Sequence, residues 1–199
     1  MHPVDIGPRS MPLRVLTVCT ANVCRSPMAA VLIAVHFAAN GLDAVVTSCG
    51  TEAGIVASDP NAIEVMAERG LSIAEHRPRR LTRDIVVADG TDLIVTMTRS
   101  HLRAVALYGP AEFRRAFTAK ELVRRAIALP STTKGGDIAA WRTELGEERA
   151  ARGLLGESRE DDIDDPYGGP IGLHRRTADE LDALAAAIAH SLAGWCRIR

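Results

Sequence analysis

The segment VCTANVCRSP, residues 18–27, places two of the chain's four cysteines beside an arginine. Cys19 and Arg25 have five residues between them, and both side chains suit phosphate chemistry. A thiolate is a strong nucleophile, and the planar fork of a guanidinium can bind two phosphate oxygens at once. The pair therefore predicts attack by sulfur on a bound phosphate. By spacing alone the indication is weak, because the chain is rich in arginine and a buried cysteine near a surface arginine would look the same.

The residues around this segment predict a strand, a loop and a helix. LRVLTV, residues 13–18, is short and β-rich, which favours a buried strand. After the loop, Ser26 is a good N-cap and Pro27 suits the first helical position. Backbone N–H groups and the helix dipole attract anions at a helix N-terminus. The loop 19–25 should therefore bind an oxyanion and stabilise Cys19 as a thiolate.

Strands and helices alternate along the rest of the chain, which predicts a parallel α/β sheet covered on both faces. Further strands are expected at 44–48 and 92–97, with a weaker one around Phe113–Phe117. Helices are expected at 58–70, 100–109, 119–128, 137–153 and 177–195. The segment 137–153 is polar, whereas the last helix has an apolar stripe formed by Leu181, Leu184, Ile188, Leu192 and Trp195. The expected fold class is α/β, a three-layer sandwich with a four-stranded parallel sheet flanked by helices.

Length and composition fit one globular domain of 199 residues, 47% hydrophobic and 25% charged. We expect a flexible N-terminal tail at 1–12 and a single domain at 13–199, with an extended segment at about 129–160. A net charge of -1 and 4% aromatic residues give no reason to expect nucleic acid or an anionic membrane as partner. With no long apolar run, no secretory h-region and too few cysteines for a disulfide framework, a cytoplasmic protein with reduced thiols is expected.

VCTANVCRSP also resembles the phosphate loop of the low-molecular-weight protein tyrosine phosphatase family, whose pattern is Cys-x-Gly-Asn-x-Cys-Arg-Ser. The chain departs from that pattern at Ala21, where the family usually has Gly and a left-handed backbone would be strained. The resemblance implies a flavodoxin-like fold and hydrolysis of phosphotyrosine through a phosphocysteine intermediate, with Cys19 and Arg25 as catalytic residues. It implies a phosphate-binding loop made of Thr20, Ala21, Asn22, Val23, Cys24 and Ser26.

A proton donor for the leaving group is implied by DDPYGGP, residues 164–170. Asp165-Pro166-Tyr167 resembles the family's Asp-Pro-Tyr acid loop and precedes the last helix, as it does in the family. The resemblance implies that Asp165 is the general acid, then the base for water, and that Tyr167 forms one wall of the entrance. The same residues would also make an ordinary acidic turn. The rivals for the acid role are Asp161, Asp162 and Asp164.

Residues that support the loop are implied by SCGTEAG (48–54) and EHRPRRLT (75–82), which resemble further family segments. By that resemblance Ser48 and His76 hold Asn22, and Ser26 donates a hydrogen bond to the Cys19 sulfur. No role is expected for His36, His101, His174 or His190. No spacing of His, Cys, Asp and Glu predicts a metal site, and no cofactor is expected because the loop amides and Arg25 supply the charge stabilisation.

Three rival functions remain to be weighed. An arsenate reductase on this scaffold relays oxidation through two further cysteines, but none lies between Gly50 and Gly194. Phosphoarginine phosphatases tend to carry Thr before the second loop cysteine, where this chain has Val23. A phosphopeptide-binding module without turnover would not need Cys19, Arg25 and Asp165 intact. The expected partners are tyrosine-phosphorylated proteins, with phosphate and other oxyanions as inhibitors.

The sequence leaves alternatives open for the role of Cys24 and for the role of the segment 129–160. Cys24 could form a reversible disulfide with Cys19 after oxidation, or it could be a small residue packed under the loop. The segment 129–160 could be a lid, a partner surface or a lineage decoration.

Overall fold

Four parallel strands form the central sheet of the computed structural model, in the order β2-β1-β3-β4. The strands are β1 (Leu13–Cys19), β2 (Ala44–Gly50), β3 (Leu93–Thr96) and β4 (Ala116–Thr118). The structure describes residues 12–54, 57–88, 90–129, 136–147, 149, 156 and 158–197. The expected tail at 1–12 therefore lies outside the described residues apart from Pro12, and the segment 129–160 is described only in part.

Helices cover both faces of the sheet, which confirms the predicted three-layer α/β fold with flavodoxin-like strand order. The helices are α1 (Arg25–Ala39), α2 (Pro60–Ala67), α3 (Arg99–Ala106), α4 (Pro110–Arg115), α5 (Ala119–Ala128), α6 (Ile138–Gly146) and α7 (Ile171–Arg197), with a π-helical turn at Asp84–Ala88. Within the described ranges, no helix is both long and apolar enough to cross a bilayer.

The alternation of side chains along β1 divides the core in two. Leu13 and Val15 belong to the larger cluster, which contains the buried residues of α1, α2 and α7. Leu16 and Val18 point the other way and pack with residues of α3, including Leu102. With both faces covered, β1 is buried along nearly its whole length, and its C-terminal end opens at the crevice between the two layers.

The predicted apolar stripe of α7 is buried in the larger cluster, with only Leu184 partly accessible. The helix begins at Ile171, just after Pro170, and so extends further towards the N-terminus than expected. The segment expected to be a polar helix is shorter in the described residues, where α6 ends at Gly146. It is also less polar than expected in its contacts, because Trp141 and Leu145 are buried in the same core.

Two boundary predictions were wrong for local reasons. The fourth strand starts at Ala116 and not at Phe113, because Pro110 initiates α4 after Gly109 and the helix runs to Arg115. The N-cap of α1 is Cys24, without a side-chain cap, and not Ser26. The Ser26 hydroxyl is instead drawn into contacts at the end of β1.

The end of β2 approaches the loop after β1 so closely that only glycine fits there. The β1–β2 register pairs Cys19 with Gly50, and a Cβ at Gly50 would clash with the Thr20 carbonyl oxygen and lie 2.9 Å from the Asn22 nitrogen. Gly50 also bridges to the segment around Arg80, since its N–H donates to the Arg79 carbonyl at 2.8 Å. The end of β2 is thus a rigid wall behind the loop.

Gly50→Ala is expected to lower the free energy of unfolding by about 1–3 kcal/mol, because the added methyl meets backbone atoms that cannot rotate away. Urea unfolding followed by circular dichroism measures the change. Gly54→Ala is the matched control, since nothing lies within 4 Å of a Cβ at that position. Equal stability of the two variants would contradict the close packing of β2 against the loop.

Candidate active site

The loop between β1 and α1 presents a set of unpaired backbone donors. Within the described part of the chain, no protein acceptor is found for the backbone N–H groups of Thr20, Ala21, Val23, Cys24 and Arg25. They lie at the N-terminus of a 15-residue helix, where the dipole is positive. Because buried amides are normally hydrogen-bonded, such a set indicates a site for an anion with several acceptor oxygens.

Asn22 fixes the shape of this loop. It is the one non-glycine residue with a positive φ, 59°, among those the structure describes. Its side-chain NH₂ donates to Ser26 Oγ at 2.8 Å and Ser48 Oγ at 2.9 Å, and its Oδ1 accepts from the Arg79 backbone at 2.9 Å. His76 Nε2 donates to the Asn22 carbonyl at 2.9 Å. Every polar group of the side chain is therefore held, which stabilises an otherwise strained conformation.

The left-handed residue is Asn22, so the strain expected at Ala21 is absent and alanine is tolerated there. The structure brings Ser48 and His76 onto Asn22, as the family resemblance implied. Burial lowers the pKa of His76, with Arg79 and Arg77 contributing, against the opposing effect of the Asn22 hydrogen bond. The Arg79 amide was not singled out from the sequence, because a backbone donor carries no residue-type information.

Cys19 ends β1 with its sulfur buried under the loop. The Asn22 backbone N–H donates to its Sγ at 3.3 Å, and Ser26 Oγ lies 3.0 Å away. Because Ser26 Oγ accepts from the Asn22 side chain, its own proton is available for the sulfur, with the Cys49 carbonyl a longer alternative at 3.3 Å. The Asn22 amide and the Ser26 hydroxyl are thus two hydrogen-bond donors directed at one sulfur.

Arg25 is buried, yet its guanidinium is only partly satisfied. Nη1 donates to the Ile163 carbonyl at 3.1 Å, while Nη2 contacts Thr20 Oγ1 at 3.3 Å and forms a short ion pair with Asp165. Nε has no hydrogen-bond partner in the described part of the chain. The fork is thus held in position with one donor unpaired, next to the loop amides.

The four candidates for the general acid, Asp161, Asp162, Asp164 and Asp165, differ in what their side chains contact. Asp161 is buried between Arg99 and Arg124, at 2.7 Å from each. Burial raises its pKa, but the two guanidiniums outweigh that effect and the net shift is downwards. Asp162 accepts from the backbone N–H groups of residues 99 and 158. Asp164 is exposed, whereas Asp165 reaches Arg25.

Tyr167 stands at the entrance, two residues after Asp165. Its side chain is 67% exposed, and its backbone N–H donates to Asp165 Oδ1 at 3.2 Å. Val23 and Cys24, by contrast, are buried in the core, so they face the loop cavity with their backbone amides. Burial raises the pKa of the Cys24 thiol, with Asp59 contributing, and all four cysteines are free thiols.

His101 is a site residue that the sequence did not reveal. Its Nε2 lies 2.9 Å from Thr20 Oγ1, and its Nδ1 lies 2.8 Å from Thr98 Oγ1, the N-cap of α3. Burial lowers the pKa of His101 to about 3, and Arg25 adds to the shift. The neutral ring links α3 through Thr20 to the guanidinium of Arg25. No residue pattern in the sequence indicated this contact, because Thr20 and His101 are 81 positions apart in the chain.

Comparisons with known proteins agree with this geometry. The family model of the low molecular weight phosphotyrosine protein phosphatases matches residues 14–129. The chain belongs to this family. EpsP of Ralstonia solanacearum, described as a probable low molecular weight protein-tyrosine-phosphatase, is 36% identical over 108 residues, covering 54% of this chain and 71% of EpsP.

Two longer matches reach beyond residue 129. A protein-arginine-phosphatase of Geobacillus stearothermophilus is 30% identical over 188 residues, 92% of this chain and 97% of the relative. The crystal structure of a low molecular weight protein tyrosine phosphatase from T. tengcongensis superposes with a TM-score of 0.66 at 29% identity, covering 89% of this chain and 98% of that one. The predicted family, and with it the class of phosphomonoester hydrolases, is confirmed.

His101→Gln is expected to flatten the acid side of the stability profile. Folded His101 stays neutral down to about pH 3, whereas the unfolded chain takes up that proton at about pH 6.5. The unfolded state therefore binds more protons in this window, and the free energy of unfolding falls as the pH is lowered through it. Without His101 the slope should be shallower by up to about 1.4 kcal/mol per pH unit.

Urea unfolding at several pH values between about 4 and 7 measures this slope. His190→Gln, at an exposed position of α7, is the matched control and should keep the wild-type slope. If the free energy of unfolding depended on pH equally in wild type and His101→Gln, the pKa of His101 in the folded protein would not be lowered.

Proposed function

We propose that this member of the family is a protein tyrosine phosphatase in which Cys19 takes the phosphoryl group from phosphotyrosine. The observation that carries the proposal is the set of unpaired backbone amides in the loop that covers the Cys19 sulfur, together with the unpaired Nε of Arg25. A phosphate dianion offers the several acceptor oxygens that such a set of donors needs.

Substrate binding rearranges one ion pair. Arg25 Nη2 is paired with Asp165 in the free protein, and a phosphate dianion competes for the same donor. The contacts of Arg25 with Ile163 and Thr20 keep the fork aligned while the partner of Nη2 changes. Asp165 is then released from the guanidinium and lies beside the bound phosphate, at the entrance where the ester oxygen points.

The chemical step transfers the phosphoryl group from oxygen to sulfur. The Cys19 thiolate forms the new bond to phosphorus from below the loop, and the bond from phosphorus to the phenolic oxygen breaks. Asp165 takes up a proton from solvent once it is released from Arg25, and it gives that proton to the phenolic oxygen, so the product leaves as a neutral phenol. The equatorial oxygens stay bound to the loop amides and Arg25 as charge redistributes.

Hydrolysis of phosphocysteine reverses these roles. Asp165, now a carboxylate, takes a proton from the water that attacks phosphorus, and the Cys19 sulfur leaves. The donors on the sulfur, the Asn22 amide and the Ser26 hydroxyl, stabilise the departing thiolate. Inorganic phosphate is the product, so phosphate and similar oxyanions should bind the same loop and inhibit competitively.

The phosphotyrosine preference depends on the entrance. Tyr167 is an exposed aromatic ring next to Asp165, and it can flank the phenyl ring of phosphotyrosine in a protein segment.

The second candidate function, hydrolysis of phosphoarginine, is favoured by the arginine phosphatase that matches nearly the whole chain. Val23, buried beneath the loop where such enzymes tend to carry Thr, supports tyrosine.

The substrate class is tested with matched peptides carrying phosphotyrosine, phosphoarginine or phosphoserine. We expect kcat/KM to be highest for phosphotyrosine, and Cys19→Ser to lose turnover by at least about a thousandfold because the alcohol is not ionised. Tyr167→Leu should lower kcat/KM for the phosphotyrosine peptide more than for a non-aromatic substrate. A preference for the phosphoarginine peptide would replace the tyrosine assignment but keep the thiolate mechanism.

Asp165→Asn is expected to lower kcat/KM by about 10²–10⁴ on phenyl phosphate, the usual contribution of a general acid, because kcat/KM reports the step in which the phenol leaves. The loss should be smaller on p-nitrophenyl phosphate, because p-nitrophenolate leaves without needing a proton. Asp164→Asn, at the exposed neighbouring position, is the matched control and should keep near wild-type rates on both. An equal loss on both substrates would mean that Asp165 acts only through its ion pair with Arg25.

A further inference from the structure

A second group of reactive side chains converges behind the loop. Cys24 from the loop, Asp59 from the N-cap of α2 and His174 from α7 place one donor atom each within 4.8 Å of one another. Cys24 and His174 are buried, and Asp59 is partly accessible. No step of the phosphate chemistry above uses these side chains, so their convergence needs a separate explanation.

The orientation of His174 is the second observation. Its side chain is fully buried, and its Nδ1 donates to the Pro170 carbonyl at 3.3 Å. Nε2 is therefore the ring nitrogen that faces the cluster. Asp59 Oδ1 lies 3.0 Å from Nε2, yet in the described part of the chain Nε2 has no partner with hydrogen-bond geometry.

This arrangement is the one that metal-ligating histidines adopt, with one ring nitrogen bonded to a backbone carbonyl and the other directed at the metal. We propose that Cys24, Asp59 and His174 form a binding site for one thiophilic divalent cation of the zinc class. A thiolate, an imidazole and a carboxylate are all zinc donors, and a water can complete the tetrahedron. The sulfur and nitrogen donors disfavour Mg²⁺ and Ca²⁺, which prefer oxygen.

The geometry requires only a small contraction. Zinc with bonds of about 2.0–2.3 Å holds its donors about 3.5 Å apart. The three donor atoms all lie within 4.8 Å of one another, and Asp59 Oδ1 is already 3.0 Å from His174 Nε2. Binding therefore requires shifts of only about 1 Å, mainly of Cys24 towards the other two residues. Binding forms Zn–S, Zn–N and Zn–O bonds and breaks the Cys24 S–H bond, with the proton passing to solvent. No electron is transferred. The two negative charges of Cys24 and Asp59 balance the two positive charges of the cation.

A cation here would cross-link the loop to the helices behind it. The Asp59 backbone N–H already donates to the Val23 carbonyl at 3.1 Å, so α2 and the loop are in contact. Cys24 is followed directly by Arg25, and its backbone amide belongs to the phosphate-binding face. The bound metal would therefore hold the rear of the loop while the front remains open to phosphate.

The experiment uses the Cys19→Ser protein, which removes the competing thiolate of the phosphate site. Co²⁺ is added to chelator-treated protein and the thiolate-to-cobalt charge-transfer absorption is followed, and Zn²⁺ binding is measured by calorimetry. We expect one Zn²⁺ per chain, a charge-transfer band, one proton released, and no competition from Mg²⁺.

Three variants in the same background decide the assignment. His174→Gln and Asp59→Asn should each weaken Zn²⁺ binding by at least about tenfold, because each removes a metal bond. Asn can still cap α2, so the second variant keeps the fold if the first does not. His190→Gln, exposed on the same helix, should bind as tightly as its parent.

Two outcomes would overturn the proposal. One is the absence of a charge-transfer band or of stoichiometric Zn²⁺ binding in Cys19→Ser. The other is unchanged affinity in His174→Gln or Asp59→Asn, checked to be folded by circular dichroism. Because every readout is binding and not turnover, failure here is distinguishable from failure of the proposed phosphatase function.

Discussion

The left-handed backbone at Asn22 is the constraint on which the rest of the site depends. A positive φ in a residue with a side chain is unfavourable, and it persists here because the side chain and carbonyl are hydrogen-bonded to Ser26, Ser48, Arg79 and His76. The turn at Asn22 directs its own backbone amide at the Cys19 sulfur, and the neighbouring loop amides are left without a protein acceptor among the described residues. These supports come from α1, β2 and the segment that bridges to the end of β2, so the loop has its shape only when those elements are packed together.

Charge in the site is organised around a single guanidinium. Arg25 is buried, and a buried charge is tolerated only with partners, which are Asp165, Thr20 and the Ile163 carbonyl. The neutral state of His101 belongs to the same arrangement, because burial disfavours the charged ring and Arg25 repels a second cation. Asp161, held between two arginines, anchors the segment that carries Asp165. In the proposed mechanism, a phosphate dianion replaces the Asp165 carboxylate as a partner of Arg25.

The loop has two chemically different sides. Its backbone faces the oxyanion site, whereas the Cys24 side chain points back towards Asp59 and His174. Family membership accounts for the front, since the family model covers residues 14–129. His174 lies beyond that range, on α7. The rear cluster therefore combines two residues within the range of the family model with one from the last helix, and the proposed cation site would give Cys24 a role that phosphate chemistry does not require.

The sequence by itself determined the elements whose information is local. The strand at residues 13–18, the loop after it and the proline-initiated helix α2 could be predicted because alternation, caps and turn residues act over a few positions. The motif around Cys19 and Arg25 likewise indicated the family, because phosphate chemistry demands those residue types in one short loop. Ser26 was misjudged as a cap, since the sulfur that takes up its hydroxyl lies seven residues away across the β1–α1 turn. Only the tertiary structure showed that Asp165, of the four neighbouring aspartates, contacts Arg25, that His101 contacts Thr20, and that Cys24, Asp59 and His174 lie together. Those contacts depend on distances between residues tens to more than a hundred positions apart, which packing sets and linear spacing does not encode.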